Sequence, residues 1–107
     1  MTDTWIKVAE SGRLAAGRPL PVYPQGLALL LVRVDDVVYA IANRCAHMAC
    51  PLEAGPLDGH LLTCPCHDWR FDVRTGVSAD APEIFIATYP ARTNDGVIYV
   101  DLAEALS

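Results

Sequence analysis

The chain has 107 residues, 52% of them hydrophobic and 20% charged, with a net charge of -5. That length suits a single domain over residues 1–107 with one apolar interior. The excess of acid and the lack of a basic patch argue against nucleic acid as a partner and suit docking to basic surfaces on other proteins. The longest apolar run, Leu27 to Val32, is six residues, whereas a membrane-spanning helix needs about 20. The start, Met1-Thr2-Asp3-Thr4-Trp5, has no basic stretch followed by an apolar one, so no signal peptide is expected. A cytoplasmic protein with no membrane partner is the expectation.

Short strands and turns follow one another along the chain. Trp5 to Val8 alternates as a first strand, and Ser11 to Gly17 is a small-residue connection. Leu20 to Tyr23 and Leu27 to Val34 flank Pro24-Gln25-Gly26, which reads as a hairpin turn. Asp35-Asp36 makes the next turn, and Val37 to Ala42 pairs back. These runs are short and rich in β-branched residues, as strands are. Composition then shifts: residues 43 to 82 hold all four cysteines, all three histidines and four prolines. Within them Asp58-Gly59 reads as a hairpin turn between Pro56-Leu57 and His60 to Thr63. Trp69 to Val73 is a strand, closed by Arg74-Thr75-Gly76. After Pro82 the simple pattern returns, with strands at Ile84 to Tyr89 and Val97 to Leu102 joined through Asn94-Asp95-Gly96. Ala103 to Leu106 closes the chain as one helical turn. The expected class is all-β, with an insertion of about 43–82 in a β framework.

The chemistry concentrates in two Cys–His pairs, Cys45-x-His47 and Cys64-x-x-His67. Each pair can hold one metal, and together they offer two thiolates and two imidazoles. If one iron takes both cysteines and a second takes both histidines, the product is a Rieske-type [2Fe–2S] centre. Two cysteines and two histidines also suit a structural zinc ion, although zinc ribbons usually pair C-x-x-C knuckles.

The flanking residues favour the cluster. Cys45-Ala46-His47-Met48-Ala49-Cys50-Pro51-Leu52 and Cys64-Pro65-Cys66-His67-Asp68-Trp69-Arg70-Phe71 resemble the two cluster-binding loops of the Rieske family. Ala79-Asp80-Ala81-Pro82 resembles that family's proline loop, and the resemblance covers roughly Trp5 to Leu102. It implies an antiparallel β-sandwich base with an inserted cluster-binding subdomain, and one [2Fe–2S] cluster. Cys45 and Cys64 would bind the inner iron, while His47 and His67 would bind the outer iron near the surface. It also implies that Cys50 and Cys66 form a disulfide between the loops; the alternative is two small buried thiols, as is usual for cytosolic cysteines.

High-potential members of the family carry a serine and a tyrosine where this chain has Trp69 and Phe71. Fewer hydroxyl donors to the sulfurs imply a potential low in the family range. Asp68 stands where glycine is usual, and aspartate tolerates a left-handed backbone better than most residues. Ala49 likewise replaces a frequent glycine. Met48, Pro51, Trp69 and Pro82 are expected to shield the cluster or to form an apolar docking rim. His60, in the Asp58-Gly59 turn, is expected to be exposed and not a ligand.

These implications describe a one-electron carrier, not an enzyme: a ferredoxin between a flavin-containing reductase and a terminal oxygenase. The oxygenase could be an aromatic-ring dioxygenase or a diiron monooxygenase. The protein would be a monomer with transient complexes. The alternatives are a small Rieske subunit of a nitrite reductase-like complex and, more distantly, a zinc-binding module.

Overall fold

The computed structural model describes residues 5–15, 17–43, 52, 55–66, 68–81 and 83–102. Among the described residues, ten strands form three antiparallel sheets: β1 Trp5–Glu10, β2 Leu20–Val22, β3 Leu29–Val34, β4 Val37–Ala42, β5 Leu57–Asp58, β6 Leu61–Thr63, β7 Arg70–Asp72, β8 Thr88–Tyr89, β9 Ala91–Asn94 and β10 Val97–Asp101. The sheets run β1-β10-β9, β2-β3-β4-β8 and β5-β6-β7. No described helix is long and apolar enough to cross a membrane.

The unbroken run Leu29-Leu30-Leu31-Val32 explains how the layers stack. Strand side chains alternate between faces, and here both faces are buried. Leu29 and Leu31 enter one apolar cluster with Ala9, Val22, Val38, Ala40, Ile98 and Val100. Leu30 and Val32 enter a second with Ile41, Leu52, Leu62, Cys64, Phe71, Val73 and Ile86. The sheet containing β3 is therefore the middle layer, with β1-β10-β9 on one side and β5-β6-β7 on the other. All four residues of the run are at most 1% exposed.

Tight turns set the register. Asp35 and Asp36 both have positive φ, 51° and 64°, as a two-residue hairpin whose twist matches its strands requires. Asp95 and Gly96 repeat this at 52° and 75° between β9 and β10. Arg33 ties the first layer down: its Nε donates to Leu14 O at 3.0 Å and its guanidinium to Ser11 Oγ at 2.7 Å.

Several elements differ from the sequence reading. The first strand runs on to Glu10, with a bulge between Lys7 and Ala9. Residues 24–26 form a 3-10 turn, so the flanking strands shorten to Leu20–Val22 and Leu29–Val34. The expected strand at 69–73 narrows to Arg70–Asp72. The hairpin turn after β5 falls at Gly59-His60, because Asp58 pairs with Leu61. The expected strand Ile84 to Tyr89 is a strand only at Thr88–Tyr89. Its earlier part bridges Val77 through Phe85, and then the chain changes partner to Ala40 and Ile41 of β4. A segment that switches sheets cannot keep one continuous ladder. The strand facing β10 is instead β9, Ala-Arg-Thr-Asn, an exposed edge whose polar sequence carries no apolar alternation. The expected turn at Ala103 to Leu106 lies outside the described residues.

Two glycines are sterically required. A Cβ on Gly55 would collide with the carbonyl oxygen of Thr63, and one on Gly76, at φ 79°, would collide with that of Ile86. Gly12 has open space around it. Gly55→Ala and Gly76→Ala should each lower unfolding free energy by about 2 kcal/mol or more. Gly12→Ala should stay within about 0.5 kcal/mol of wild type. Urea unfolding of the three purified variants measures this.

Candidate metal centre

Of the four cysteine and histidine residues proposed as ligands, Cys64 lies among the described residues; Cys45, His47 and His67 lie outside them. Cys64 follows β6, is fully buried and belongs to the second apolar cluster. Phe71, also fully buried, belongs to the same cluster, and half-buried Trp69 packs against it. A sulfur in this dry setting, on a chain whose two Cys–His pairs offer one further thiol and two imidazoles, is the donor chemistry that an iron–sulfur centre takes. The residues fit such a group.

Backbone bonds shape the turn that carries Cys64. Its N–H donates to Trp69 O at 2.7 Å, and its carbonyl accepts from Asp68 N–H at 2.9 Å. Asp68 has φ 59°, the left-handed backbone expected of a residue in a glycine position. Pro65 and Cys66 lie exposed at the turn's outer edge.

The first pair, Cys45 and His47, sits with Met48, Ala49, Cys50 and Pro51 in residues 44–51, outside the described part; Pro82 also lies outside it. The anchors on either side of 44–51 are described. Asn43, 4% exposed, accepts from Leu52 N–H through Oδ1 at 2.8 Å, and its own N–H donates to Ala28 O at 3.0 Å. Asn43 thus closes the base of the segment that holds the first pair. Sequence reading passed over it, although a polar residue directly before a cysteine motif and directly after an apolar strand was the available signal.

Ser78 to Asp80, which include the start of the segment resembling the proline loop, lie along the outer edge of β7. Ser78 pairs with Phe71, and its Oγ accepts from the N–H groups of Asp80 and Ala81 at 3.1 and 3.2 Å. Ala79 N–H donates to Arg70 O at 2.8 Å. The Asp80 carboxylate accepts from Arg70 N–H at 3.0 Å and from the Arg70 guanidinium at 2.8 Å. These bonds hold the Asp80 carboxyl below its ordinary pKa, chiefly through the guanidinium, and raise that of Arg70.

His60 differs from expectation. It is half-buried, and its ring meets Tyr39 of β4 edge-on with centroids 5.9 Å apart. The turn at Gly59-His60 folds onto the middle sheet, and a ring there finds an aromatic partner more readily than water. Nearby, Asp72 accepts from the Arg74 guanidinium at 2.8 Å, which lowers the Asp72 pKa.

Residues 4–90 match the family model described as the Rieske [2Fe–2S] domain. The ferredoxin component of the naphthalene 1,2-dioxygenase system of Pseudomonas aeruginosa is 36% identical over 104 residues, which are 96% of this chain and 100% of that protein. Among solved structures, the ferredoxin of Sphingomonas yanoikuyae B1 superposes with a TM-score of 0.83 at 33% identity, over 90% of this chain and 96% of that one. A structure of reduced oxygenase with oxidised ferredoxin in carbazole 1,9a-dioxygenase contains a chain that matches with a TM-score of 0.83 at 29% identity, over 94% of each.

Substitutions at two positions test the anchors. Asn43→Ala strands a buried Leu52 N–H and should cost about 1–3 kcal/mol. Asp68→Gly should be tolerated, whereas Asp68→Val, β-branched at positive φ, should cost about 1–2 kcal/mol. Thermal and urea unfolding report both. Acidification offers a third check. A carboxylate with a depressed pKa contributes stability above its unfolded-state value and loses it as pH falls through the lower folded value. Carbon NMR should place the Asp72 midpoint below the usual value of about 3.9, and Arg74→Ala should raise it.

Proposed function

The chain belongs to the Rieske [2Fe–2S] family, and on that premise we propose that it is a ferredoxin passing single electrons from a flavin-containing reductase to a terminal oxygenase. An aromatic-ring dioxygenase is the favoured class of oxygenase. The observation that carries this is the end-to-end match to the ferredoxin component of a dioxygenase system. The chain is the electron-transfer component, not the catalytic subunit, and its cofactor is one [2Fe–2S] cluster.

When bound, that cluster accepts and returns one electron. The chain's residues hold and tune it. Cys45 and Cys64 supply the thiolates, and His47 and His67 supply the imidazoles; buried Cys64 on its closed turn supports the assignment. Neutral imidazoles favour the reduced state more than two further thiolates would, and so raise the potential above that of all-cysteine ferredoxins. Trp69 and Phe71 bring no hydroxyl, and Asp68 is exposed with its carboxylate on the same turn, so the potential stays low within the family. Met48, Pro51, Trp69 and Pro82 form an apolar rim around the imidazoles. Cys50 and Cys66 pair as a disulfide between the loops, as the likeness of both loops to the family's cluster-binding loops implies. The chain is one domain, 1–107, with a cluster-binding subdomain at about 43–82. It works in the cytoplasm as a monomer with transient partners.

The purified protein should be brown, hold about two irons and two sulfides, and on reduction show a rhombic resonance with average g below 2. His47→Ala and His67→Ala should abolish that signal, while His60→Ala keeps it. Protein-film voltammetry at pH 7 should place the potential in the lower half of about -150 to +300 mV. A colourless protein with one zinc would overturn the cluster, and a potential near the top of the range would overturn the ferredoxin role.

A further inference from the structure

The turn at 64–69 is anchored unequally. Its first residue, Cys64, is sunk in the second apolar cluster and fully buried. Its far end runs through half-buried Trp69 into Arg70, which opens β7 at the surface. On one edge Arg70 pairs with Thr63. On the other it is gripped by residues 79–80. Its carbonyl accepts from Ala79 N–H at 2.8 Å, its N–H donates to Asp80 Oδ2 at 3.0 Å, and its guanidinium donates to Asp80 Oδ1 at 2.8 Å. Asp80 is itself fixed by Ser78 Oγ, and Ser78 is 2% exposed. The chain from Ser78 through Asp80 to Arg70 therefore links a buried hydroxyl to the exposed end of the metal-binding turn.

An ordinary exposed ion pair contributes little, because two flexible side chains must be ordered to make it. This one differs, since the carboxylate also takes a backbone N–H, and the neighbouring peptide bonds return in the opposite direction. The contact thus fixes main chain as well as side chains. We propose that Asp80 is a positioning residue for the metal-binding turn, acting through Arg70, and that this pair limits cluster loss and balances the charge beside the cluster. The proposal rests on the ferredoxin reading.

Each function has its own signature. Asp80→Ala removes the acceptor of the Arg70 N–H together with the ion pair, and Arg70→Ala removes the side-chain half of the grip, so both single variants should lose the cluster faster. Their charge effects oppose each other. Asp80→Ala leaves an uncompensated guanidinium, which favours the more negative, reduced state and raises the potential. Arg70→Ala leaves an uncompensated carboxylate and lowers it.

The test uses holoprotein of wild type, Arg70→Ala, Asp80→Ala, Asp80→Asn and the exchange variant Arg70→Asp/Asp80→Arg. Bleaching in excess chelator gives the loss rate, and protein-film voltammetry gives the potential. Both alanine variants should bleach about fivefold faster, the factor for about 1 kcal/mol of broken coupling. Their potentials should move in opposite directions, and the exchange variant should return the potential toward wild type. If Asp80→Ala does not assemble the cluster, Asp80→Asn keeps an oxygen for the Arg70 N–H and should still raise the potential. Unchanged bleaching in both alanine variants, or potentials shifted the same way, would overturn the proposal. Wild-type protein lacking iron and sulfide would instead defeat the ferredoxin reading.

Discussion

The structure depends on one strand buried on both faces. β3 passes between two apolar clusters, and each successive side chain of its leucine-rich run enters the other one. Burial on both faces is a demanding constraint, because a one-residue slip would move every side chain into the opposite cluster. Full pairing with β4 from Leu29↔Ala42 to Val34↔Val37, closed by Asp35-Asp36, prevents that slip. The outer sheets are then placed by what they contribute to each cluster. Ile98 and Val100 anchor the outer sheet made of β1, β10 and β9, while Leu62 and Phe71 anchor the outer sheet made of β5, β6 and β7.

The same constraint places the turn that begins at Cys64. Cys64 is counted among the buried residues of the second cluster, beside Leu62, Phe71 and Ile41. Its position is thus set by core packing, which tolerates little displacement. An electron carrier benefits from this arrangement if Cys64 is a ligand as proposed, since a thiolate held by the core needs little rearrangement when the charge changes. The first pair is handled differently: buried Asn43 closes the base of its segment through one side-chain bond to Leu52. Cys64 is thus held by apolar packing, whereas Asn43 and Leu52, the described residues on either side of 44–51, are joined by a buried polar contact.

Much of this was legible in the residues. The β class followed from short β-branched runs, and the family followed from two Cys–His pairs with their flanking residues. The left-handed backbone at Asp68 was legible too, because aspartate stood in a glycine position. Other features were not. The edge strand β9, Ala-Arg-Thr-Asn, is exposed and polar, so no alternation marks it. The stretch 84–87 reads as a strand because Ile84, Phe85 and Ile86 are β-formers, yet its partner changes from Val77 to β4 along its length. His60 read as a solvent-facing turn residue because Tyr39, its partner, lies 21 positions away in sequence.

By itself, then, the sequence determined the fold class, the family and the electron-carrying chemistry. These are written in local quantities: strand-forming propensity, turn residues, and the spacing and kind of metal donors. Only the tertiary structure decided which layer lies in the middle, that Asn43 bridges to Leu52, and that Asp80 grips Arg70 across the 73–76 turn. Those features join residues through packing and hydrogen bonds between segments, and their existence depends on which strands pair. Neither Asn43 nor Asp80 differs in composition from an ordinary surface residue. Their roles arise from the partners that folding brings within hydrogen-bond reach.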